Sequence, residues 1–265
     1  MFWRKKNPEK PTVLVPLYVY PEHGSWNLLY AIIKGNPQIE FLIIINPNSG
    51  PGSEDLPDEN YTEGITLLNG YANVTLVGYI STDYFKRDIN HVLKDVRTYA
   101  GWSKGKGFGD PNSKQKDLGL RGVFLDETPN EWSVDAGRYL ERLTGVIKSH
   151  GDEPIIIHNP GTIPSPLFTP YATLTVMFEG SYDIYKSANM TTKTSVFAKM
   201  SKASREKLAV ILHSLPKTMG DKEETQMMKG LNKHFGAVFV TALNVNYYES
   251  FGEEFQSWVG GLSSK

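Results

Sequence analysis

Eight short apolar runs recur along the 265-residue chain, each bounded by turn residues and separated by enough sequence for a crossover. They cover residues 13–20 (VLVPLYVY), 41–45, 74–80, 122–125, 154–157, 174–178, 208–212 and 237–243. Val, Ile, Leu and Phe dominate them, and polar residues do not alternate with apolar ones. Strands of that kind are buried on both faces, which is the condition of parallel strands covered by helices. Eight such units in a chain of this length predict a (β/α)8 TIM barrel, an α/β single domain over residues 13–265. An open doubly wound sheet is the topological alternative. Residues 1–12, rich in Lys and Pro and lacking an apolar stretch, read as a flexible lead-in.

The crossovers support this reading. The spacing of Trp132, Ala136, Tyr139, Leu140, Leu143, Val146 and Ile147 predicts a helix over 131–150, with Gly151 as its stop. Thr128-Pro129-Asn130-Glu131 has the form of a capping box ahead of it. Helices are also predicted over 83–100 and 221–234, with a shorter one over 25–34. Residues 161–173 carry three prolines and are too short for a helix, and 102–119 reads as a polar loop.

Composition removes several function classes. The net charge of -1 gives no reason to expect a nucleic-acid partner. No run of 18 apolar residues exists, so no membrane contact is expected within this chain. Cysteine is absent, which excludes thiol catalysis, Cys-ligated zinc and disulfides. Sequons at Asn60, Asn73 and Asn189 occur at about the chance level. Gly105–109 contains a Gly-x-Gly pattern, but it does not follow a strand and open a helix, so it is not read as a dinucleotide loop.

In a barrel the C-terminal ends of the strands converge on one mouth. The residues at those ends are Tyr18 and Tyr20, Asn46, Ser81, Asp126-Glu127, His158-Asn159, Glu179, His213 and Asn244. A single acid in a βα turn can be explained by the partial positive charge of the following helix. Here the capping box already serves that helix, and Glu179 has no capping pattern after it. Asp126, Glu127 and Glu179 are therefore the candidate catalytic acids. Paired carboxylates are the equipment of glycoside hydrolysis: one delivers a proton, the other attacks carbon or activates water. Crowding of like charges raises one pKa and so generates the acid. Asn46, His158, Asn159, His213 and Asn244 are candidates to hydrogen-bond a sugar, and Tyr20 and Tyr182 to stack on one. Trp102 and Phe108 are further aromatics in the 102–119 loop. No cofactor is called for. Two rival readings use the same residues: a carbohydrate-binding barrel without activity, and a metal-dependent hydrolase built on His158, His213 and Asp126.

The stretches VLVPLYVYP, FLIIINPNSGPG, GVFLDETP, IIIHNPG and VMFEGSY, in this order from Val13 onward, make the chain similar to the spherulin 4 (spherulation-specific) family, glycoside hydrolase family 135. The resemblance implies a (β/α)8 barrel and endo-cleavage of α-1,4-linked N-acetylgalactosamine in galactosaminogalactan, a fungal biofilm exopolysaccharide. The polymer would be the partner, and the place of action extracellular or at the cell surface. It also implies an acidic set of Asp126, Glu127 and Glu179. A retaining mechanism with Asp126 and Glu179 as the reacting pair, carried out by a monomer, is the resulting expectation.

Overall fold

The computed structural model describes residues 11–102, 118–188, 205–252 and 254–263. The lead-in 1–10, the Gly105–109 pattern with Phe108, and the sequon at Asn189 lie outside them. Eight parallel strands close into a barrel in sequence order. They are β1 Thr12–Leu17, β2 Glu40–Ile45, β3 Val74–Ser81, β4 Gly122–Asp126, β5 Ile155–Asn159, β6 Leu174–Ser181, β7 Leu208–His213 and β8 Ala237–Val240. Each predicted apolar run overlaps one of these strands, and the open sheet is excluded because β1 pairs with β8. The described helices are α1 Asn27–Gly35, α2 Glu59–Asn69, α3 Ile89–Gly101, α4 Val134–Ser149, α5 Tyr182–Ser187, α6 Asp221–His234 and α7 Phe255–Ser263. Between β5 and β6 the chain makes only a 3-10 turn, Pro166–Tyr171.

Strand residues Leu14, Ile43, Leu76, Val123, Ile156, Val210 and Val238 are all buried in one continuous core. Each such side chain taken from water stabilises the fold by about 1.5–3 kcal/mol. Two close approaches explain glycines in this shell. A Cβ on Gly78 would stand 2.6 Å from the Tyr99 ring, and one on Gly64 would stand 2.5 Å from Trp26. Gly64 lies in α2, whose polar, Gly-containing sequence masks its helical period. The helix is instead fixed at its start by Asp58, whose carboxylate accepts the Tyr61 N–H at 2.8 Å.

Three departures from the expected elements shape the mouth. First, α4 starts at Val134 and is capped by Ser133, whose Oγ accepts the Ala136 N–H at 3.0 Å. The Thr128–Glu131 box is not used. That segment crosses the barrel rim, with Thr128 N–H donating to Asn159 O and Asn130 O accepting from Ser165 N–H. Second, β6 contains a bulge: Val176 pairs with Ala209, and Phe178 pairs with the next residue, Val210, leaving Met177 as the extra residue. Third, the predicted helix over 83–100 begins only at Ile89. Ahead of it Asp83, Tyr84 and Phe85 all have left-handed backbone, with φ of 44°, 53° and 63°. Such geometry costs roughly 1–2 kcal/mol per non-glycine residue, so the surroundings must hold it.

Candidate active site

Register and alternation build the mouth. Ser81 lies beside Asp126, and Asp126 beside Asn159, in three adjacent strands. Paired residues of neighbouring strands point to one face, so these three side chains form a single layer. One pleat below come Tyr79, Phe124, Ile157 and Leu174. In a regular β6, Glu179 would be of the parity opposite to Leu174 and Val176 and would face the helices. The extra residue Met177 shifts the phase, and Glu179 turns into the layer of Asp126 and Asn159.

The two acids are joined by an amide. Asn159 Nδ2 donates to Asp126 Oδ1 at 2.8 Å and to Glu179 Oε2 at 2.5 Å. Its Oδ1 accepts the Gly161 N–H at 3.1 Å, which fixes which end of the amide faces the acids. Each acid also has its own phenol. Tyr79 donates to Asp126 Oδ2 at 2.7 Å, and Tyr248 donates to Glu179 Oε1. Tyr18 packs edge-on against both phenol rings.

Burial, reinforced by the Glu179 charge, pushes the Asp126 carboxyl up to about 6, against the opposing pull of its hydrogen bonds from Tyr79, the Glu127 N–H and Asn159. Burial and the adjacent carboxylates push Tyr79 and Tyr248 far above the ordinary phenol range, so both remain protonated donors. Glu127 belongs to the same mouth: its charge acts on Tyr79 together with those of Asp126 and Glu179. Glu127 has left-handed backbone, with φ of 53°. Its Oε2 accepts from Ser81 Oγ at 2.7 Å, and its carbonyl accepts from Thr82 Oγ1 at 2.9 Å and from the Tyr84 N–H at 2.6 Å. The α4 cap lies six residues beyond Glu127, too far for its dipole to explain these acids.

A profile of the spherulation-specific family 4 matches residues 12–262, nearly the whole chain. The chain belongs to this family. Spherulin-4 of Physarum polycephalum is 35% identical over 167 residues, an alignment covering 63% of this chain and 44% of that protein. The match thus spans less than half the length of that curated relative. The crystal structure of Aspergillus clavatus Sph3 in complex with GalNAc superimposes with a TM-score of 0.84 at 35% identity, covering 96% of this chain and 98% of that one. A GH18 chitinase, ChiB of Flavobacterium johnsoniae, shares the fold with a TM-score of 0.51 at 12% identity, over 96% of this chain and 93% of its own.

The other predicted contacts divide within this spherulation-specific barrel. His213 shares the face of Glu179, since Ile211 pairs with Glu179 and His213 with Ser181. Its ring lies parallel to that of Tyr247, at 4.3 Å and 1°. Asn46 holds its own loop, its Oδ1 accepting the Gly50 N–H at 3.1 Å. The Tyr20 hydroxyl is bound to Asp58 and Asn60 at 3.0 Å each, leaving the exposed ring at the outer rim. Asn244 is exposed in the segment after β8.

Two expectations are corrected. His158 is 2% exposed and pairs with Leu125 and Thr175, on the face opposite to Asp126 and Asn159. Burial pushes its pKa down to about 4, so it is a neutral histidine in the helical layer and not a sugar contact. Tyr182 is 6% exposed and packed into the core, where no sugar can stack on it. The metal reading fails with His158: among the described residues no group of three or more His, Asp or Glu side chains could hold a metal ion. Tyr79, which donates to Asp126, sits two residues before the strand end; the alternation of β3 brings it to the same face as Ser81.

Proposed function

We propose that this chain is an endo-acting, retaining glycoside hydrolase that cleaves α-1,4-linked N-acetylgalactosamine in a galactosaminogalactan-type exopolysaccharide. The observation that carries the proposal is the double hydrogen bond from Asn159. Bonds of 2.8 and 2.5 Å from one nitrogen keep the accepting oxygens of Asp126 and Glu179 within about 5 Å, close to the about 5–5.5 Å of retaining pairs and short of the about 6.5–9.5 Å of inverting ones. The whole-chain likeness to a protein crystallised with GalNAc supports a carbohydrate-active barrel and favours this amino sugar.

In this reading one member of the pair protonates the departing glycosidic oxygen while the other, ionised, attacks the anomeric carbon. Water then hydrolyses the glycosyl ester, with the first group now accepting its proton. The raised pKa of Asp126 means that this carboxyl still carries a proton near pH 6, and a proton on one member is what the first step requires. Glu127, steered by Ser81, tunes the pair. The polymer places the protein's work outside the cell or at its surface.

The test is incubation with α-1,4-linked N-acetylgalactosamine polymer, with product masses and early proton NMR spectra. Internal fragments whose new ends appear first as the α-anomer are expected. A β-anomer appearing first overturns the retaining pair. Polymer that binds but yields no products makes the protein a carbohydrate-binding barrel instead.

A further inference from the structure

We propose that Tyr84 is a stacking platform for a neutral pyranose of the polymer, forming a subsite on the β3 rim of the mouth; this rests on the glycosidase reading above. Three consecutive left-handed residues, Asp83, Tyr84 and Phe85, form the turn that carries it. The turn is fastened directly to the acidic corner: the Tyr84 N–H donates to Glu127 O, and Thr82 Oγ1 donates to the carbonyls of both Asp126 and Glu127. On the other side Phe85 stacks on Tyr139 at 4.6 Å and 13°, which anchors the turn in a buried aromatic cluster. Between these fastenings Tyr84 is left 52% exposed.

The choice of residue is the informative part. Gly, Asn or Asp adopt left-handed backbone more readily than Tyr. A tyrosine whose neighbour supplies the packing contributes nothing to the turn except its ring. The Lys86 ammonium lies 5.7 Å from that ring's centroid, so one face is taken. Among the described residues no other ring or ammonium stacks on it, leaving the second face for the C–H face of a sugar. Diametrically across the eight-stranded barrel, at the end of β7, stands the His213–Tyr247 stack. A chain lying from one platform to the other crosses the mouth, into which Asp126, Asn159 and Glu179 project from β4, β5 and β6. Sugar is then gripped on both sides of the bond to be cut, as endo-cleavage demands.

The experiment uses two substitutions with opposite expectations. Tyr84→Asn keeps a residue suited to the turn and removes the ring, whereas Tyr84→Phe keeps the ring. On the N-acetylgalactosamine polymer, Tyr84→Asn should raise KM by about threefold to tenfold with kcat little changed, and shift product lengths. Tyr84→Phe should match the wild type in both. Retardation of the inactive Asp126→Asn protein in gels containing the polymer gives a readout independent of turnover, and adding Tyr84→Asn should weaken it. Equal KM, product lengths and retardation with and without the ring overturn the subsite, while loss of cleavage in Asp126→Asn leaves the catalytic reading standing. Cleavage that survives in Asp126→Asn and Glu179→Gln overturns the catalytic reading alone, and retardation still decides the subsite.

Discussion

The wall from β1 to β5 and the wall from β6 to β8 deliver their acids by different means. From β1 to β5 the register runs without interruption, and Asp126 faces inward because simple alternation puts it there. Glu179 stands on a strand that pairs only briefly with β5 and carries the bulge at Met177. One acid is placed by the regular fold and the other by a local exception to it. Asn159, the last residue of the regular wall, reaches across to join them. The lesson is that two equivalent acids can differ in how easily the backbone beneath them can misplace them.

The largest expected effects come from the acids themselves. Asp126→Asn and Glu179→Gln should each lower kcat by at least about a hundredfold with the fold retained, and a near-normal rate in either removes that acid from the mechanism. Deleting Met177 sharpens the contrast. It should leave a regular β6 in which Phe178 still pairs with Val210 and Glu179 with Ile211, so Glu179 stays in the mouth and turnover should stay well above that of Glu179→Gln. Met177→Ala keeps the bulge, so it should cost about 2–5 kcal/mol of stability in denaturant unfolding yet keep activity within a few-fold. A loss as deep as that of Glu179→Gln would mean that the phase of Glu179 does not follow from its pairing with Ile211.

Smaller effects follow from the phenols. Tyr79→Phe and Tyr248→Phe each remove one donor from a half-buried carboxylate, an effect of about 1–2 kcal/mol or roughly fivefold to thirtyfold in kcat. Tyr79→Phe should also move the pH limb near 6 upward, because that hydrogen bond favours ionised Asp126. An unmoved limb would assign it to another group. The last effect concerns stability rather than rate. Folded Asp126 holds its proton up to about 6, against 3.8 for an unperturbed side chain. The wild type should therefore lose stability relative to Asp126→Asn as pH rises through that window, by about 2–3 kcal/mol at most. Paired melting curves at pH 4 and pH 7 measure it.

The sequence makes the barrel legible because strands buried on both faces leave long apolar runs, and because Asp126, Asn159 and Glu179 stand at the ends of such runs. What it hides is phase. His158 and Asn159 are neighbours at a strand end, and alternation sends one into the helical layer and the other into the mouth. Tyr79 is hidden within an apolar run, although its two-residue spacing from Ser81 was a readable signal. The bulge at Met177 has no such signal, since nothing in LTVMFEGS marks one residue as extra. The left-handed turn at 83–85 is equally silent, because Tyr84 and Phe85 are not residues that form it easily.

Asn159 also bears on the chemical ageing of the protein. Asparagines deamidate when the next backbone nitrogen attacks the side-chain carbonyl and closes a succinimide ring. An aspartate at this position would replace a double donor with a third negative charge wedged between two carboxylates. The following residue is Pro160, whose nitrogen carries no hydrogen and cannot close that ring. The amide whose hydrolysis would set three charges against each other is thus followed by a residue that blocks the spontaneous route, as at Asn36 and Asn46, and the mouth should keep its chemistry through long service.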